Sequence, residues 1–174
     1  MVDGRLVRVL ARRRVTLGFI AGATTLILAH PTWSSWRAGL VIAALGEAIR
    51  VWAAGHLEKS REVTGSGPYR LTSHPLYLGS SVIALGVIVA CRSWVVATVV
   101  ATYMAATIAA AIRTEEAFLR KAFGPAYDDY KRLGAGTTTR RFSLARALRN
   151  REHRALLGLG AGFAFLALKI VLSI

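Results

Sequence analysis

His74 is the most reactive side chain in the stretch Gly67-Pro68-Tyr69-Arg70-Leu71-Thr72-Ser73-His74-Pro75-Leu76-Tyr77-Leu78-Gly79, which also holds two tyrosines and an arginine. About 40 residues on, Arg113-Thr114-Glu115-Glu116 adds a guanidinium and two carboxylates. Imidazole and carboxylate groups can take up a proton, and aromatic faces attract cations. A histidine beside a proline is more often structural, and two adjacent glutamates are more often a solvated face. The pair gains weight only if the fold brings both groups to one place.

The elements that must do so are apolar. The chain has 174 residues, 54% of them hydrophobic, with a mean hydropathy of +0.45. Against a ruler of about 20 residues per spanning helix, its apolar blocks predict an all-α, polytopic membrane protein. Residues 1–174 read as a single integral-membrane domain with about five transmembrane helices.

Residues 15–29 form the first apolar run, behind Arg5, Arg8, Arg12, Arg13 and Arg14. This resembles a signal peptide, but His30-Pro31-Thr32-Trp33 offers no small-residue cleavage site, so a retained helix is expected. Trp33 and Trp36 would mark the far interface. The second span, 37–56, is broken by Glu47 and Arg50, which share a helix face three residues apart. A polar loop, 57–75, follows. Apolar runs 76–91 and 94–112 are joined only by Arg92-Ser93, which predicts a helical hairpin. Ala97, Ala101, Ala105 and Ala109 form a stripe suited to close helix approach.

The second arm keeps its helical period to Phe123, where Gly124-Pro125 stops it. A helix over 94–123 is ~45 Å long and extends past a bilayer into the cytoplasm. Residues 143–152 read as a basic amphipathic helix on the headgroups, with Phe142, Leu144 and Leu148 toward lipid. A last span is expected at 155–173.

The net charge of +14 comes from basic residues between the apolar blocks, with no single patch, so nucleic acid is not the expected partner. Five basic residues precede the first span, three lie in the 57–75 loop and eleven in 113–154; Arg37, Arg92 and Lys169 lie opposite. The positive-inside rule then puts the N-terminus and both polar segments in the cytoplasm of an integral cell-membrane protein. The single Cys91 rules out an intrachain disulfide and a Cys-based zinc cluster, and no metal is expected. In this topology the His74 and Glu115–Glu116 groups meet at the cytoplasmic mouth of the hairpin.

The order Gly-Pro-Tyr-Arg-x-x-Ser-His-Pro-x-Tyr-x-Gly, an apolar hairpin, then Arg-x-Glu-Glu with Phe-Gly-x-x-Tyr-x-x-Tyr downstream resembles the isoprenylcysteine carboxyl methyltransferase family. It is similar, more distantly, to the phospholipid N-methyltransferases. The resemblance covers about residues 37–132 and leaves 143–173 as an addition. It implies a membrane enzyme using S-adenosylmethionine without a Rossmann domain, with a lipophilic acceptor arriving from the bilayer. By motif position it implies His74, Arg113 and Glu116 as catalytic. Tyr69, His74, Pro75, Tyr77, Leu78, Gly79, Glu115, Glu116, Tyr127 and Tyr130 would bind the cofactor. Glu47, Arg50 and Arg70 are expected at the substrate. O-methylation of a carboxylate is favoured; a phospholipid amine or a thiol are the other acceptors.

One position departs from the family. Ser73 stands where the family usually has arginine, and serine cannot replace a bidentate cation. Either Arg70 takes over that contact or the acceptor head group differs. Two other classes compete. Sterol-type membrane reductases resemble the same region and bind NADPH there, in chains with more spans. A non-enzymatic small membrane protein is the third, supported only by Glu47 and Arg50 inside a span. The sequence sets no oligomeric state.

Overall fold

The computed structural model describes residues 4–59, 61–133 and 140–173. Among the described residues there is no strand. The helices are α1 (Gly4–Ile27), α2 (Trp33–Ala54), α3 (Pro75–Cys91), α4 (Trp94–Phe123), α5 (Pro125–Leu133), α6 (Leu144–Arg149) and α7 (Glu152–Leu172), with a 3-10 turn at Gly67–Arg70.

Local chemistry sets the boundaries. Thr32 and Ser35 form a reciprocal cap on α2: the Ser35 N–H donates to Thr32 Oγ1 at 3.3 Å and the Thr32 N–H to Ser35 Oγ at 3.0 Å. Pro75 opens α3, where its missing donor costs nothing. Arg92 adopts a left-handed conformation (φ 51°) and Ser93 caps α4, so the expected hairpin is made in two residues. Gly124, at positive φ, ends α4 at Phe123 as the Gly-Pro signal predicts. Among the described residues, two helices, α4 and α7, are long and apolar enough to cross a membrane; residues 16–27 and α3 are shorter apolar helices.

The closest helix approach differs from the expected one. Ala101, Ala105 and Ala109 are exposed on α4. Small residues instead meet between α2 and α3, where Gly39, Ala43 and Gly46 face Gly79, Gly86 and Ala90. A Cβ on Gly86 would lie 2.6 Å from both the Gly39 carbonyl oxygen and the Ala43 nitrogen. Close approach needs small residues on both helices, and α2 and α3 supply them.

Buried Ala43, Ala90, Cys91, Val96, Phe163 and Leu166 tie α2, α3, α4 and α7 into one core. Trp36 belongs to it rather than to a free interface: its indole N–H donates to the Phe163 carbonyl at 2.8 Å, and its ring meets Trp33 and Phe163 edge-on. Lys169 is buried, and its ammonium donates to the carbonyls of Leu26, Ile27 and Ala29 at 3.0–3.2 Å. It caps the C-terminal end of α1, whose last carbonyls have no helical partner.

The basic C-terminal segment does the same for α2. Arg146 donates to the Gly55 carbonyl, and Asn150 Nδ2 donates to the carbonyls of Ala54 and Leu57, each at 2.9 Å. Phe142 lies against Gly55 and the His56 ring. The basic amphipathic helix expected over 143–152 is the shorter, six-residue α6, with Arg146 turned toward protein carbonyls. Leu144 and Leu148 remain exposed.

Candidate active site

At one end of the bundle lies a cavity of ≈610 Å³, walled by residues 57–59 and 62–64, the 3-10 turn, the start of α3, the second half of α4, α5, and Arg50 and Glu152 of α2 and α7. That volume is within the range of small-molecule sites, roughly 300–1,000 Å³. Two helices converge on it. Residues 73–77 and Ser80 line it from α3 and its approach; Thr107, Ala110, Ala111, Thr114, Glu115, Phe118 and Leu119 line it from α4. The α4 set follows the three-and-four spacing of one helix face.

His74 stands between the two carboxylates. Its Nε2 is 3.3 Å from Glu116 Oε1 and its Nδ1 is 3.9 Å from Glu115 Oε2. A carboxylate only accepts, so Nε2 carries the hydrogen in the Glu116 contact. Lys131 of α5 donates to the same Glu116 oxygen at 2.6 Å, which draws α5 toward the mouth.

The tyrosines close the other side. Tyr130 Oη donates to the Tyr69 carbonyl at 2.7 Å, and both residues are buried. The Ser73 hydroxyl lies near the Tyr130 hydroxyl. Burial pushes the Tyr69, Tyr127 and Tyr130 phenols up, Tyr127 to about 12, and the nearby Glu115 charge adds to the rise at Tyr69. All three are neutral near pH 7. Tyr127 packs with Tyr130, Val63, Leu119 and Phe123 into a small separate core that seats α5. Thr64 Oγ1 and Tyr127 Oη, on two buried residues of the wall, are without a hydrogen-bond partner among the described residues. Buried hydroxyls in that state are suited to polar groups of a ligand.

Of the expected cofactor residues, Tyr69, His74, Pro75, Tyr77, Glu115, Tyr127 and Tyr130 line the cavity, and Glu116 stands behind His74. The others fall elsewhere. Leu78 is half exposed, off the lining face of α3. Gly79 is a packing residue: a Cβ there would lie 2.7 Å from the Gly46 carbonyl oxygen and 2.6 Å from Arg50 Cγ. Arg113 is exposed, one position off the α4 face that runs through 110, 111, 114 and 115. Arg70 is exposed at the end of the 3-10 turn and leaves the wall to Ser73.

The expected substrate pair separates. Arg50 is on the wall, whereas Glu47 is buried behind it, 3.7 Å from Arg50 Nε. Arg50 finds a better partner in Glu152, whose two oxygens accept from Nη2 at 3.1 and 2.9 Å. Sequence reasoning missed Glu152. Its signal was present: it is the sole acidic residue after Asp129. Thr64, Ser80 and Thr107 were missed as well, being ordinary polar residues at a loop or within an apolar run.

The phospholipid methyltransferase family model matches residues 19–126. The chain belongs to the phospholipid methyltransferase family. The match spans every element of the cavity except Tyr127, Tyr130 and Glu152. Among curated proteins, the chain is similar to the cobalt-zinc-cadmium resistance protein CzcN of Cupriavidus metallidurans, 32% identical over 128 residues, covering 68% of this chain and 58% of that protein. It is also similar to the nickel-cobalt-cadmium resistance protein NccN of Alcaligenes xylosoxydans xylosoxydans, 34% identical over 116 residues, covering 62% of this chain and 54% of that protein. The chain thus spans little more than half the length of these relatives. No solved structure matches it significantly.

Proposed function

We propose that the chain is an integral-membrane methyltransferase that takes a methyl group from S-adenosylmethionine and gives it to a lipophilic acceptor. The observation that carries this reading is the cavity at the hairpin mouth, lying almost wholly inside the family match. Its donor set fits the cofactor. Tyrosine faces suit a sulfonium cation, Glu115 suits an ammonium or a ribose diol, and the lone hydroxyls of Thr64 and Tyr127 suit the remaining polar groups. The cofactor supplies an electrophilic methyl group on sulfur. The protein orients the two partners, excludes water beneath α5, and holds His74 with its Nε2 hydrogen on Glu116, leaving Nδ1 able to accept an acceptor's proton.

In this proposal α1, α2, α3, α4 and α7 are the five spans, with the N-terminus and the mouth in the cytoplasm, as the distribution of basic residues favours. The metal resistance in the relatives' names enters as a setting for methyl transfer. Among the described residues no three His, Cys, Asp or Glu side chains come together as a metal site.

The site is tested by His74→Ala and Glu116→Ala. Each is expected to weaken S-adenosylhomocysteine binding more than tenfold, about 1.4 kcal/mol or more, with helicity unchanged. Wild-type affinity in both variants would remove the cofactor from this cavity.

A further inference from the structure

We propose that Arg50 and Glu152 form the acceptor-recognition part of the cavity, and that they select a head group that donates a hydrogen bond and carries no negative charge. The inference rests on the methyl-transfer reading and adds to it the class of acceptor.

Arg50, Ser80 and Glu152 form one connected polar group on the cavity wall, with Thr107 also lining the cavity from α4. His74 and Glu115 form another, and Tyr69 lies near both Glu115 and Glu152. Arg50 is the cation of the first group; its two terminal nitrogens are already engaged, and its buried Nε is without a hydrogen-bond partner among the described residues. Nη2 chelates both oxygens of Glu152, and Nη1 donates to Ser80 Oγ. Nε faces the buried Glu47 carboxylate at 3.7 Å. Two carboxylates thus share one guanidinium before any ligand arrives.

Three hydroxyls on the wall are spent as donors. Ser80 Oγ donates to the Leu76 carbonyl at 2.8 Å, Thr107 Oγ1 to the Tyr103 carbonyl at 2.7 Å, and Thr114 Oγ1 to the Ala110 carbonyl at 2.8 Å. What they leave for a ligand is lone pairs. Glu152 adds carboxylate lone pairs on the same wall. A ligand carboxylate would meet acceptors and a guanidinium already held by Glu152. A head group bearing N–H, O–H or S–H would meet partners. Lys59 is the other cation on the wall, at its exposed rim. Arg70 is off the wall.

Glu152 opens α7, beyond the family match. The C-terminal helix is therefore part of the site, and its selectivity does not follow from the matched core. Glu152 acts on the acceptor directly and as a positioning residue for Arg50.

The test uses the full chain in nanodiscs, saturated with S-adenosylhomocysteine, and four farnesyl probes that differ only in an amine, hydroxyl, thiol or carboxylate head group. Binding is read by competition and thermal shift, so no turnover is needed. At least one of the three donor probes is expected to bind ten times more tightly than the carboxylate probe. Glu152→Gln is expected to narrow that gap at least fivefold with S-adenosylhomocysteine affinity within twofold of wild type, and Glu152→Asp to restore it. Equal or tighter binding of the carboxylate, no binding of any probe, or an unchanged gap in Glu152→Gln would overturn the inference. Failure of the wild type to take up S-adenosylhomocysteine would instead defeat the methyl-transfer reading beneath it.

Discussion

Removing one oxygen atom, in Tyr130→Phe, should loosen the cover of the cavity without disturbing the bundle. Tyr130 Oη donates at 2.7 Å to the Tyr69 carbonyl, and both residues are more than nine-tenths buried. The substitution keeps the ring against Val63 and Tyr127 but strips the Tyr69 carbonyl of a partner. Leaving a buried acceptor unpaired costs about 1–3 kcal/mol. That cost falls on the docked position of α5, the one that carries Tyr127 and Lys131 to the site. If cofactor binding needs α5 docked, apparent affinity drops by the fraction of molecules that lose it. A penalty of about 1–3 kcal/mol corresponds to roughly 5- to 150-fold weaker binding of S-adenosylhomocysteine. Calorimetric titration of wild type and variant, with circular dichroism as the control, reads this directly. Unchanged affinity and unchanged melting together would refute α5 as the cover held by this bond. Unchanged affinity with lower melting would make the bond structural only.

Two further outcomes follow from the packing. Gly86→Ala inserts a methyl group 2.6 Å from the backbone of α2, where neither helix has a flexible side chain to move aside. Overpacking of this kind costs about 1–3 kcal/mol, so the melting temperature should fall while S-adenosylhomocysteine affinity holds; loss of affinity at equal stability would contradict the placement of Gly86 away from the site. His56 gives a pH dependence. Burial, then the Arg146 charge, holds its imidazole below the usual value of 6.5, so the unfolded chain takes up a proton that the folded chain resists. Stability is therefore full above pH ~7 and should decline as pH falls through ~6.5. Melting scans from pH 8 to 5.5 should show that decline in wild type and a flatter profile in His56→Gln; identical profiles would exclude His56 as the cause.

The helices were legible because their signals are local. Pro75, the Arg92-Ser93 joint and Gly124-Pro125 mark boundaries within one or two residues, and α4 runs over the expected 94–123. The meeting of His74 with Glu115 and Glu116 was legible because a tight hairpin leaves few alternatives. Helix rotation was harder to read. Arg113 sits one residue from the lining face of α4, and a motif read as a string does not record that step of ~100°. Partner choice was hidden for the same reason. Alanines spaced along α4 look like a contact stripe, yet the glycines of α2 and α3 make the contact because both helices supply them. Glu152 and Lys169 lie 102 and 142 residues from the groups they satisfy, and nothing local ties them to Arg50 or Ile27.

The most direct test is calorimetric titration of the detergent-purified chain with S-adenosylmethionine, S-adenosylhomocysteine and NADPH. Saturable binding of the first two, lost in His74→Ala, is expected, with no binding of NADPH. Binding of NADPH alone would make the chain a reductase, and silence from all three ligands in folded protein would contradict an enzymatic role for the cavity.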